Sequence, residues 1–311
     1  MFALRGIAVS LTFFVLVYCL LSAVVLVCWR WLQWLHATER SLSEILFLLR
    51  IFPLVASAIV TFAFVVPSFQ ILEPRSADEG LGTMPFLLGL VALFFFAYGT
   101  YRVVTAQTRT SRIVARWLEG SVPLNGNSQA ITLRSPSYTP PLTLVGLCKP
   151  RVLVSDSTLA MLSSGELEIA LRHEVAHIRS RDNIKKLIFR FAPFPGMKEL
   201  ESAWSQAAEL AADDAAVTSL NDAVDLAAAL VKLSRLIPVE PAPACTVGFV
   251  TGSVRARVTR LLAWNEADRS HQRTIPRWFA FPPLVVAIAA AILAYGPVLS
   301  MTHEITEWLV R

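Results

Sequence analysis

His173-Glu174-Val175-Ala176-His177 lies within Glu168 to Ile178, a segment whose residues predict a helix. Residues four apart on a helix share one face about 6 Å apart, so both imidazoles can point at one metal ion. Glu174, one residue along, can reach a water on that metal and take its proton. Upstream, Ser163-Ser164-Gly165-Glu166 has the spacing of a capping box, in which Ser163 and Glu166 satisfy each other's free amides and start the helix. Leu167, Leu171, Val175 and Ile178 form an apolar stripe at helical spacing, and Arg179, Arg181, Asp182 and Asn183 close the segment. Asp182 and Asn183 are read as helix-ending residues ahead of any direct role in chemistry.

The chain around this motif is too apolar for an ordinary soluble domain. Of its 311 residues 55% are hydrophobic and only 16% charged, and the mean hydropathy is +0.55. A bilayer-crossing helix takes about 20 residues. Four runs reach that length: Gly6 to Trp29, Ile51 to Ile71, Pro85 to Val104 and Trp278 to Ser300. The first is too long for a secretory signal and is followed by no small-residue cleavage site. Trp29, Trp31, Trp34 and Trp278 fall where an aromatic belt belongs, and Pro53 and Pro67 lie near the ends of the second run. Cys19, Cys28, Cys148 and Cys245 contain no CxxC pair, which points away from a disulfide framework and a cysteine zinc site.

Charge sets the expected orientation. Arg30, Arg40 and Arg50 fall between the first two runs, and Arg102, Arg109, Arg112 and Arg116 near or beyond the end of the third. The second loop carries Glu73, Asp78 and Glu79. Basic residues near span ends stay in the cytoplasm. The long segment 105–277 is then cytoplasmic, and both termini are outside. That segment's excess of about five basic over acidic residues suits attraction to an anionic inner leaflet; the basic residues are too dispersed for nucleic-acid binding.

Within 105–277, Ser128 to Arg134, Leu142 to Gly146 and Arg151 to Ser155 read as strands of a small sheet, whose exposed edge could bind an extended peptide. Ala203 to Leu220, Leu226 to Leu236 and Val254 to Trp264 read as helices. Arg255, Arg257 and Arg260 on the last are expected to form a solvated or membrane-facing stripe. The segment 187–195 is either a core helix or a piece lying on the membrane. A catalytic zinc needs a third protein ligand. Glu209 is one candidate, because Asp213 follows one turn later and can accept the free ring N–H of a ligating histidine; on spacing alone Glu199 and Glu201 compete with it. Tyr138 and His271 are the candidates for stabilising an oxyanion.

The HEVAH pentapeptide, Arg181-Asp182-Asn183 after it, and Glu209 to Asp213 on a later helix resemble the integral-membrane zinc peptidases of the BlaR/MecR type. The resemblance covers nearly the whole chain. It implies an α-helical membrane protein with an α+β zincin-like (gluzincin) metallopeptidase domain, three transmembrane helices before that domain and one after it. The expected divisions are 1–104, 105–277 and 278–311. By resemblance His173, His177 and Glu209 hold zinc, Glu174 is the general base and Asp213 supports a ligating histidine. Ala212 departs from the many relatives with cysteine there. The resemblance also implies a protein substrate in the cytosol, such as a transcriptional repressor. The penicillin receptors carry a sensor domain after the fourth span, whereas here about ten residues follow it. The expected signal therefore comes through the spans, the outer loops or a separate sensor or partner membrane protein. His303-Glu304, which imitates the start of the zinc motif, is expected in an exposed outer tail. Two other readings compete: an HtpX-like quality-control protease, with two spans before the domain and two after, and a catalytically silent signalling scaffold.

Overall fold

The computed structural model describes residues 2–30, 38–73, 82–124, 131–147, 149–236, 247–248, 254–265 and 295–310. Among the described residues, three helical stretches are long and apolar enough to cross a membrane. They are α1 (Phe2–Cys28), then α2 (Glu39–Val60) running through a π turn (Thr61–Val65) into α3 (Val66–Leu72), and α4 (Thr83–Glu119). These coincide with the first three expected spans, the second extended at its start and the third at its end. Thr38 caps α2 well before Ile51 by accepting from the Ser41 amide. α4 continues unbroken past residue 104 to Glu119, so Arg109, Arg112 and Arg116 ride on the helix itself. Of the fourth expected span, residues 278–294 lie outside the described residues, as do Cys148, Cys245 and His271.

After α4 come β1 (Val122–Pro123), β2 (Ile131–Ser135), β3 (Leu142–Val145), β4 (Arg151–Ser155) and α5 (Asp156–Met161). The helices α6 (Ser164–Ser180), α7 (Asp182–Phe191), α8 (Lys198–Ala216) and α9 (Leu220–Ser234) follow, then β5 (Val247–Gly248) and α10 (Val254–Leu262). The sheet order is β1-β2-β4-β3-β5, with β2 and β4 parallel and the other pairs antiparallel. All of Leu142 to Val145 is buried, and so is nearly all of β4. Such continuous apolar strands need both faces covered. On one face Leu142, Leu144, Val152 and Val154 pack with Ile169 of α6 and Leu226 and Leu230 of α9. On the other, Leu133, Val145 and Leu153 pack against Trp117 at the far end of α4. A spanning helix thus supplies one wall of this core. The outer edge of β3 pairs with the chain's own β5, Leu144 opposite Val247 and Thr143 opposite Gly248.

The alternatives for 187–195 resolve into packing among the spanning helices. The Tyr18 hydroxyl of α1 lies 3.1 Å from the Ala192 carbonyl and 3.3 Å from that of Pro193, positioned to donate to both. The buried Arg50 of α2 donates to the Ala192 carbonyl at 2.7 Å and pairs with Glu201 of α8 at 2.8 Å. α8 then packs along α2, burying Trp204, Leu200 and Ala207 with Leu46 and Trp29.

The C-terminal helix α11 (Tyr295–Val310) extends past Ser300, where an exposed tail was expected, because it has a partner in the membrane helices. Pro67 has no N–H for the carbonyl four residues back, which is that of Ala63. The Tyr295 hydroxyl donates to that carbonyl at 3.0 Å. His303 is half-buried beside Glu73, at 3.9 Å, and Arg5 pairs with the same carboxylate at 3.2 Å.

Close approach of α7 to α4 needs a glycine. A Cβ on Gly99 would lie 2.1 Å from the Phe191 carbonyl oxygen, a backbone atom that can retreat only if α7 moves. Gly99→Ala is expected to destabilise the protein by about 1–3 kcal/mol, read as a lowered unfolding temperature in detergent. An unchanged temperature would show that α7 is not held against α4.

Candidate metal centre

α6 begins at the expected capping box: Ser163 Oγ accepts from the Glu166 amide at 3.3 Å, and Glu166 Oε2 accepts from the Ser163 amide at 2.8 Å. The deepest face of the helix is Ile169, Ala170, His173, Ala176 and His177, while the expected stripe of Leu167, Leu171, Val175 and Ile178 is half-buried beside it. The motif therefore points into the protein, where sheet, α8 and α9 enclose it. His173 and Glu174 are 0% exposed.

The two imidazoles converge, with 3.1 Å between His173 Nε2 and His177 Nε2. Glu209 of α8 approaches both, Oε2 at 3.7 Å from His173 Nε2 and Oε1 at 3.8 Å from His177 Nε2. One candidate donor atom from each of the three residues lies within 4.8 Å of the others. Donors about 2 Å from a tetrahedral ion sit roughly 3.3 Å apart, so little adjustment is needed to hold one. The other ring nitrogens face carboxylates: His173 Nδ1 is 2.9 Å from Asp213 Oδ1, and His177 Nδ1 is 2.6 Å from Asp182 Oδ2. A carboxylate on Nδ1 fixes the tautomer that leaves Nε2 for a metal. Neither oxygen of buried Glu174 has a hydrogen-bond partner among the described residues. A dry, unpartnered carboxylate beside two imidazoles fits a site completed by an ion and its water.

Arg257 of α10 closes the other side. It is 3% exposed. Its Nε and Nη2 donate to the two Asp213 oxygens at 2.8 and 2.6 Å, and its Nη1 donates to Glu209 Oε2 at 3.0 Å. Burial pushes the Glu174 carboxyl above its ordinary range, with the histidines partly opposing. Burial acts the same way on Asp213, but His173 and Arg257 outweigh it and hold Asp213 at about 2. For His173, burial favours the neutral ring, yet Asp213 and Glu209 prevail and raise it to about 9. Burial lowers Lys186 of α7, whose charge faces Glu209, Asp182 and Glu174.

Of the three carboxylates considered for a third ligand, only Glu209 meets the histidines. Glu199 pairs with Arg30 at 2.7 Å and Glu201 with Arg50. Two expectations are corrected. Asp182 is not merely a helix end: Arg181 closes α6 with a left-handed φ of 56°, and that turn swings Asp182 back onto His177. Asn183 ties the same turn to the sheet, donating to the Leu144 and Gly146 carbonyls at 3.4 and 3.2 Å. The arginines of α10 are not one stripe: Arg255 is exposed, Arg260 pairs with Asp214 at 2.8 Å and Arg257 is in the site. The signal was present, since Arg257 falls in register with Val254, Val258 and Leu261 on the apolar side of its helix. Tyr138 is half-exposed on the turn before β3.

Residues 80–261 match the family described as BlaR1 peptidase M56. The chain belongs to this family. No curated protein matches it. The matched region runs from just before α4 to α10, so the M56 unit includes one spanning helix as well as every residue of the cluster. Family and apolar helices together make the protein a membrane metallopeptidase.

The raised His173 has a measurable consequence for the metal-free M56 protein. An unfolded histidine titrates near 6.5 and the folded one at about 9. Its contribution is therefore complete below 6.5 and is lost as pH rises through about 9. The metal-free protein should lose on the order of 1–3 kcal/mol of stability between pH 6.5 and 9.5. Unfolding followed across that range should show the loss in wild type and a shallower slope in His173→Gln; equal slopes would refute the assignment.

Proposed function

We propose that the protein is a zinc-dependent endopeptidase that cuts a protein substrate on the cytosolic side of the membrane. The observation that carries this reading is the meeting of His173, His177 and Glu209 around one point, with the unpartnered carboxylate of Glu174 beside it. His173 and His177, through Nε2, and Glu209 would hold the ion. Two imidazoles and one carboxylate are a donor set that zinc accepts in catalytic sites, with one position left for water. A bound zinc supplies a Lewis acid and brings the pKa of its water toward neutrality. Glu174 takes the proton from the attacking water and delivers it to the departing amine. Asp213 and Asp182 hold the histidines in the ligating tautomer.

The cytosolic placement is supported by Arg109, Arg112 and Arg116 on the end of α4 that leads into the sheet. A transcriptional repressor as substrate follows from kinship with BlaR-type receptors. Three spanning helices before the site favour this arrangement over the HtpX-like one, and a complete set of ligating and proton-transferring groups favours catalysis over a silent scaffold.

Purified wild type should carry about one zinc per chain. Glu174→Gln should keep that zinc and lose about 10²–10⁴-fold in cleavage rate. Substrate is found by comparing membrane and cytosolic proteomes of wild-type and Glu174→Gln cells. Absence of zinc from the wild type, or undiminished cleavage by the variant, would sink the proposal.

A further inference from the structure

We propose that Arg257 is a positioning residue for the metal centre: its guanidinium holds the Glu209 and Asp213 carboxylates side by side in the geometry that metal binding uses, and so sets metal affinity. This rests on the metal-binding reading above. Glu209 and Asp213 are four apart on α8, on one face, and both are buried. Two buried like charges at that spacing repel, and without a cation between them their carboxylates would turn apart. Arg257 answers both at once. It grips both oxygens of Asp213 and one of Glu209 with three different nitrogens. Only a planar fork reaches two carboxylates in this way; an ammonium is a point charge. With Oε2 tied to Nη1, the Glu209 carboxylate cannot rotate freely about its last torsion, so its ordering is settled before an ion arrives.

Docking of α10 does not require this arrangement. Val258 and Leu261 pack into the core that includes α9, and Arg260 ties α10 to Asp214 of α8 independently. Arg260 therefore provides the control, a second arginine on the same helix that binds α8 without touching Glu209 or Asp213.

The test uses the full chain in detergent, loaded with zinc for affinity by chelator competition and with cobalt(II) for its visible spectrum. Arg257→Met should weaken zinc binding about 10–100-fold and alter the cobalt spectrum as the Glu209 carboxylate loosens. Arg257→Lys, which keeps the charge without the fork, should fall between it and wild type. Arg260→Met should lower the unfolding temperature while leaving zinc affinity and the cobalt spectrum unchanged. The inference is overturned if a folded Arg257 variant binds zinc within about threefold of wild type with the same spectrum. It is also overturned if Arg260→Met loses as much affinity, or if both Arg257 variants fail to fold while Arg260→Met folds. A wild type that binds no zinc would instead remove the proposed function.

Discussion

Two imidazoles and the carboxylates of Glu174, Glu209, Asp213 and Asp182 share a pocket from which solvent is almost wholly excluded, and the structure around them is arranged to keep that charge compensated. A buried carboxylate is costly unless it is paired or hydrogen-bonded. Each of Asp213, Asp182 and Glu209 is compensated from an element other than its own: Asp213 from α6 and α10, Asp182 from α6, Glu209 from α10. Glu174 stands apart, with no partner among the described residues. Its environment raises its proton affinity, which suits the proposed role of accepting a proton and giving it back.

This requirement ties the site to the membrane helices. α6 holds both histidines and α8 holds Glu209 and Asp213, so the mutual placement of those two helices decides whether the donors converge. α8 lies along α2, which is continuous with a spanning stretch, and Arg50 locks the two through Glu201 and the end of α7. α4 covers the far face of the sheet with Trp117. The peptidase core and the membrane bundle therefore share walls, with α2 packed on the helix that holds Glu209 and α4 on the sheet.

Local pattern was a good guide wherever the deciding forces were local. The Ser163 box, the three main strands and the helices that follow them were legible because capping, alternation and helical spacing depend on neighbours in the chain. Positions whose role depends on distant partners were not. Arg50 looked like one more basic residue at a span end until Glu201, 151 residues away, gave it a buried partner. Arg257 looked like part of a solvated stripe, although its register with Val254, Val258 and Leu261 already put it on the inner side. Asp182 was hidden by the left-handed turn at Arg181, a conformation that an arginine does not advertise.

The sequence by itself determined the membrane character, the first three spanning stretches and the pairing of His173 with His177, because burial of apolar runs and four-residue helical spacing are properties of a single segment. Choosing Glu209 over Glu199 and Glu201 was left to the tertiary structure. All three lie on one helix, and only the packing of that helix against α2 on one side and α6 on the other sends Glu199 and Glu201 to arginines of the membrane bundle and turns Glu209 toward the histidines.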